Sequence, residues 1–195
     1  MFNPRQQKPR TIAQRTLKGP ISCSGTGLHS GRKVTMSLLP AAPNSGIAFR
    51  RVDTGVTVKA DYRNVTDTRL CSLLGAAPGP RFGTVEHLMA ALYGASIDNA
   101  VVIAADGSGL LNPEGLRFDD EFVRHKVLDL VGDLYLAGAP LLGEIRARRT
   151  GHRHNNALLH ALFADAANWR MVELTEAHFA GVSPAAAPVH AEAGQ

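Results

Sequence analysis

The stretch EFVRHKVLDLVGDLYLAG, from Glu121 to Gly138, constrains the chain more than any other. Phe122, Val123, Val127, Val131 and Leu134 recur at helical spacing and predict a helix over 120–137 with an apolar stripe. Asp119 or Asp120 is its expected cap and Gly138 its expected stop. His125, Asp129 and Asp133 fall on a separate ridge, because positions i and i+4 share a helix face with Cβ atoms about 6 Å apart. Any fold that contains this helix must cover the stripe and also accommodate a titratable ridge. An imidazole and a carboxylate on one ridge can grip a single divalent ion. Zinc takes such ligands, and catalytic zinc keeps three of them with one position open. A surface ion pair has the same spacing, and the spacing alone leaves both readings standing.

Two further segments carry chemistry. In TVEHLMAALYG, residues Val85, Leu88, Met89 and Leu92 predict a helix, with Thr84 as N-cap and Gly94 as C-terminal stop. Glu86 and His87 sit in its first turn, where neighbours about 100° apart can still reach one site. The imidazole can bind metal while the carboxylate takes a proton from water. A carboxylate that merely complements the positive helix end reads the same way. In TGHRHNN, His152 sits in a predicted loop before a helix capped by Asn155 or Asn156. Loops often carry catalytic groups, and an exposed histidine also fits there. His154, His160, His178 and His190 read as ordinary histidines.

The rest of the chain reads mainly as strands. TLKGPISCSGTGLHSGRKVTMSLLPA predicts two strands around a glycine-rich turn, with Val34, Met36 and Leu38 alternating with polar neighbours. IAFRRVD, VTVKADYRNV, TRLCSLL, IDNAVVIAAD and PLLGEIRARR predict further strands. Gly25, Gly27 and Gly31 surround His29, which receives no role, since a tight hairpin explains glycines there. The 195 residues suffice for one or two small domains, and 45% apolar residues suffice for a core. The net charge of +4 suits an anionic ligand as readily as nucleic acid. Cys23 and Cys71 have no CxxC spacing, which argues against a disulfide framework and for a reducing compartment. No apolar run reaches a membrane span and the first residues lack a signal core, so a soluble cytoplasmic protein is expected.

Taken together, QRTLKG, GTGLHSGRKV, DTRLCS, TVEHLMAAL, SIDNAVV, LNPEGLRFDDEFVRHKVLDLVGDLYLAG and GHRHNNALLHAL resemble the UDP-3-O-acyl-N-acetylglucosamine deacetylases, the zinc amidases of lipid A synthesis. They fall in the family's order across most of residues 14–172. The resemblance implies an α+β fold of two similar two-layer βα domains, of the type also seen in a ribosomal protein (S5 domain 2-like). The first domain would span 14–106 and carry Glu86 and His87. The second would span 107–175 and carry His125, Asp129 and His152, with 1–13 and 180–195 as flexible tails. It implies His87, His125 and Asp129 as zinc ligands and Glu86 as general base. His152 would be the general acid, Asp133 its charge-stabilising partner, and Lys126 would lie beside substrate. The implied reaction removes acetate from UDP-3-O-acyl-N-acetylglucosamine.

The chain departs from that pattern at one place. AVVIAAD runs almost directly into GSGLLNPEG, where the family has a domain-sized stretch. The second domain is therefore expected to be truncated. The threonine that helps stabilise the oxyanion and the insert that forms the acyl tunnel are missing. Loss of one oxyanion donor costs about 10²–10³ in rate, so weak turnover is expected, with a catalytically impaired zinc-binding remnant as the alternative. An uncovered sheet or helix surface would invite self-association. An RNA-binding module rests on fold analogy alone, and the chain lacks the basic stripes and interleaved aromatics it would need.

Overall fold

The computed structural model of the protein describes residues 12–26, 33–75, 79–104 and 121–173. The fold is α+β. Strands β1 (Ile21–Thr26), β2 (Lys33–Pro40), β3 (Ile47–Arg51) and β4 (Thr57–Lys59) lie in the first part of the chain. Three shorter strands follow: β5 (Val65–Asp67), β6 (Leu73–Gly75) and β7 (Arg81–Phe82). Helix α1 (Val85–Gly94) leads into β8 (Ala100–Ala104), and α2 (Glu121–Tyr135) and α3 (His152–Phe163) complete the set. One sheet has the order β1-β2-β8-β3-β4, and β5-β6-β7 form a small second sheet. Among the described strands β3 and β8 alone pair parallel, with Phe49 opposite Val102, and their long crossover contains β4 to β7 and α1.

Alternation along the strands decides which face is covered. Ile47 and Phe49 are buried while Ala48 between them is half-buried and Arg50 is exposed, and in β8 Ala100 and Val102 are buried. This face meets Leu74, Phe82, Val85, Met89 and Leu92, with the Phe49 and Phe82 rings 5.5 Å apart. Leu134, Tyr135, Leu136 and Leu159 join the same core, so α2 and α3 pack where α1 packs. The Tyr62 N–H donates to Leu136 O at 2.9 Å, the Tyr135 hydroxyl to Ile97 O at 2.8 Å, and Asn156 Nδ2 to Tyr62 O at 3.1 Å.

Several local expectations change. VTVKADYRNV is broken by a 3-10 turn at Tyr62–Asn64, because Asp61 accepts from the Arg63 backbone N–H and its guanidinium and closes the turn. PLLGEIRARR forms no strand: among the described residues no neighbouring edge pairs with it. Thr84 makes no side-chain cap bond and instead adopts φ +56°, a strained left-handed turn into α1. The left-handed residue after α1 is Ser96 (φ +55°), not Gly94. Asn155 and Asn156 lie inside α3, which begins at His152 behind an extended Gly151.

Helix α2 ends at Tyr135, two residues before the expected end, and Gly138 (φ +84°) follows it as the stop. Its two faces are weighted differently from the stripe-and-ridge reading. Val127 and Leu128 are exposed, whereas Asp129, Gly132 and Asp133 are buried against α1. Asp119, Asp120, His29 and the junction Asp106–Gly107 lie outside the described residues. No helix among the described residues is long and apolar enough to cross a membrane.

Candidate metal centre and active site

The site forms where the first turn of α1 crosses α2. Gly132 makes the crossing this close: a Cβ built on it would stand 1.8 Å from the Glu86 carbonyl oxygen. With no side chain there, the α1 backbone rests directly on α2. His87 from α1 then meets His125 and Asp129 from α2.

Three donor atoms converge. His87 Nε2 and His125 Nε2 are 3.3 Å apart, and Asp129 Oδ1 lies 3.4 Å from the first and 3.3 Å from the second. Zinc–nitrogen and zinc–oxygen bonds of about 2.0–2.1 Å at tetrahedral angles place ligand atoms about 3.3–3.4 Å apart. The observed triangle has that size. Asp129 is 3% exposed, and its Oδ1 has no hydrogen-bond partner among the described residues. A buried carboxylate oxygen aimed between two imidazole nitrogens is costly unless a cation joins it. On these two observations the residues fit a zinc ion.

Beside the triangle lies a second buried group. Glu86 is 2% exposed and faces His152, with Oε1 3.9 Å from His152 Nε2. His152 Nδ1 donates to Asp133 Oδ2 at 2.9 Å. Asn155 Nδ2 donates to the same oxygen at 2.8 Å, and the Ser72 hydroxyl donates to Asp133 Oδ1 at 2.5 Å. The imidazole is thereby oriented with Nε2 toward Glu86 and, at 4.0 Å, toward Asp129 Oδ2. Lys126 stands at the rim, mostly exposed, with Nζ 3.4 Å from Asp129 Oδ2.

The electrostatics follow from these contacts. Burial pushes the Glu86 carboxyl above its ordinary range, against the opposing pull of backbone hydrogen bonds and of His152. The hydrogen bond to Asp133 raises the His152 imidazole, with burial opposing. Contact with Asp129 raises His87. Burial alone would raise Asp129, but His87 and the charges of His125, His152 and Lys126 outweigh it and hold the carboxyl low. A carboxylate made more basic thus faces an imidazole made easier to protonate, which is the division a base and an acid require.

The structure therefore brings His87, His125 and Asp129 into one group and Glu86, Asp133 and His152 into the next. Ser72 and Asn155 belong to the second group and were not assigned there from sequence. Ser72 is 61 positions from Asp133, so no local spacing links them. Asn155 had a signal, one helical turn after His152, but only once the helix is known to start at His152.

Comparison with known proteins shows the family. The family model for LpxC, UDP-3-O-acyl N-acetylglycosamine deacetylase, matches residues 14–106 and 94–164. A UDP-3-O-acyl-N-acetylglucosamine deacetylase of Vibrio cholerae serotype O1 (strain ATCC 39541) is 31% identical over 288 positions, covering 85% of this chain and 94% of the relative. Those of Aliivibrio fischeri and Vibrio parahaemolyticus serotype O3:K6 are 30% and 31% identical with the same coverage. An alignment of 288 positions exceeds the 195 residues of the chain, so a large block of each relative has no counterpart here. The chain belongs to the UDP-3-O-acyl-N-acetylglucosamine deacetylase family.

Proposed function

We propose that the chain is a zinc-dependent amide hydrolase that removes acetate from UDP-3-O-acyl-N-acetylglucosamine in lipid A biosynthesis, with turnover well below that of its full-length relatives. The observation that carries the reading is the triangle of His87, His125 and Asp129 around an unpartnered carboxylate oxygen. When bound, zinc supplies Lewis-acid polarisation of a carbonyl and a more acidic water. Glu86, buried and raised, accepts the proton of the attacking water. His152 as imidazolium keeps its Nδ1 proton on Asp133, and its Nε2, which faces the site, gives its own proton to the departing amine. Asp133 accepts from three donors and stabilises the imidazolium. Lys126 would meet substrate, a role its exposure at the rim supports.

A second reading, a zinc-binding remnant without turnover, is favoured by the missing block and by the absence of any strand among described residues 121–173. Zinc content and acetate release together decide. The hydrolase reading requires about one zinc per chain, acetate from the UDP-sugar, and loss of acetate but not zinc in Glu86→Gln. Zinc without acetate makes the chain a remnant.

Self-association is part of the proposal. Among the described residues no backbone group from Ala139 to Thr150 pairs with another, and Leu142 and Ile145 are exposed. Two copies paired antiparallel about Ile145 would set Glu144 of one against Arg146 of the other, a register that complements charge. Sedimentation should show a dimer that Ile145→Pro abolishes. A monomer at all concentrations would rule it out.

A further inference from the structure

Ser72 precedes β6, is 1% exposed, and sends its two donors in different directions. Its backbone N–H donates to Glu86 Oε2 at 3.0 Å, and its hydroxyl donates to Asp133 Oδ1 at 2.5 Å. Glu86 stands on α1 and Asp133 on α2. Asp133 in turn holds His152 and Asn155 at the start of α3. One small residue between strands thus touches both carboxylates of the buried group and, through one of them, the imidazole.

We propose that Ser72 is a positioning residue that sets the geometry between Glu86 and His152. Its N–H fixes which oxygen of Glu86 faces away from His152, leaving Oε1 toward Nε2. Its hydroxyl occupies Asp133 Oδ1, so that Oδ2 alone serves His152 and Asn155. Without that donor, Oδ1 would be a buried acceptor with no partner, and the carboxylate would turn to share its remaining donors. His152 would then lose its fixed orientation. A hydroxyl suits this task because it donates without bringing a charge that would compete with the imidazolium. The inference rests on the hydrolase reading of Glu86 and His152, but it can be tested apart from turnover.

The probe is the His152 Nδ1 proton, followed by NMR in the full, metal-free chain. Ser72→Ala deletes the bond to Asp133 and keeps the backbone bond to Glu86. Ser72→Thr keeps both. Solvent exchange of that proton should quicken about tenfold to a hundredfold in Ser72→Ala, the factor a hydrogen bond to a charged group represents, and return to the original rate in Ser72→Thr. Zinc stoichiometry should not change in either. Where turnover is measurable, kcat should fall in Ser72→Ala with KM unchanged. If the alanine variant does not fold, Ser72→Cys, of similar shape and a weak donor, should show the faster exchange instead. Unchanged exchange in a folded alanine or cysteine variant overturns the proposal. Absence of acetate release from the unaltered chain would sink the hydrolase reading and leave the exchange result as it stands.

Discussion

Gly132→Ala probes the helix crossing on which the metal centre depends. The new Cβ would lie 1.8 Å from the Glu86 carbonyl oxygen, 2.6 Å from its carbonyl carbon and 2.9 Å from its Cα. All three are backbone atoms, so no side chain can swing aside. To bring the first contact to 3.0 Å the helices must part by at least about 1.2 Å, since packed interiors do not compress. His87 is on one helix and Asp129 on the other, 3.4 Å apart, while a zinc site tolerates roughly ±0.2 Å in its bonds. Overpacking of this kind costs about 1–3 kcal/mol, partly offset by about 1 kcal/mol of better helix propensity for alanine. The expected result is modest destabilisation with zinc affinity reduced at least tenfold, measured by competition with a chelator. Any turnover should fall about 10²-fold, as for other displacements of about 1 Å. Gly94→Ala is the control. Nothing lies within 4 Å of its added Cβ, so stability should hold or rise by at most about 1 kcal/mol and zinc binding should not change. A Gly132→Ala protein that binds zinc as tightly as the parent would refute the reasoning.

Three other perturbations test separate parts of the account. Zinc at about 100 times its Kd should stabilise the chain by about 2.7 kcal/mol, seen as a raised Tm that EDTA reverses and that His87→Ala abolishes. Asp133→Asn should lower the His152 pKa, followed by NMR of the metal-free chain. Because the folded His152 pKa is raised, the stability it contributes is full below the unfolded value of about 6.5 and disappears as pH rises through the folded one. The unaltered chain should therefore lose stability relative to Asp133→Asn across that window, and parallel pH–stability curves would contradict the pairing. Tyr135→Phe removes the hydroxyl that donates to Ile97 O and should cost about 0.5–1.5 kcal/mol in urea unfolding without affecting zinc.

What the sequence made legible followed from local period. Met36 and Leu38 alternate with polar neighbours, IAFRRVD and the apolar run AVVIA read as strands, and the strands lie there. The helical spacing of Val85, Met89 and Leu92 likewise places α1. The features that escaped depend on distant parts of the chain. PLLGEIRARR has the pattern of a strand, but a strand needs an edge to pair with, and no strand among the described residues pairs with it. Val127 fits an apolar stripe, yet α1 crosses over Gly132 and covers the acidic ridge instead. Thr84 has the chemistry of a cap but is bent into a left-handed turn that leads β7 into α1. For the candidate site, the His125–Asp129 spacing announced a ridge that could hold an ion, and family motifs named the rest. The role of Ser72 was not readable, because its partners reach it only through the tertiary fold.

X-ray absorption at the zinc edge on the metal-loaded chain tests the central claim most directly. The account predicts about one zinc per chain, bound only by nitrogen and oxygen at about 2.0–2.1 Å, with outer scattering from two imidazoles. A sulfur neighbour at about 2.3 Å, pointing to Cys23 or Cys71, or zinc that remains bound after His87→Ala, would contradict it.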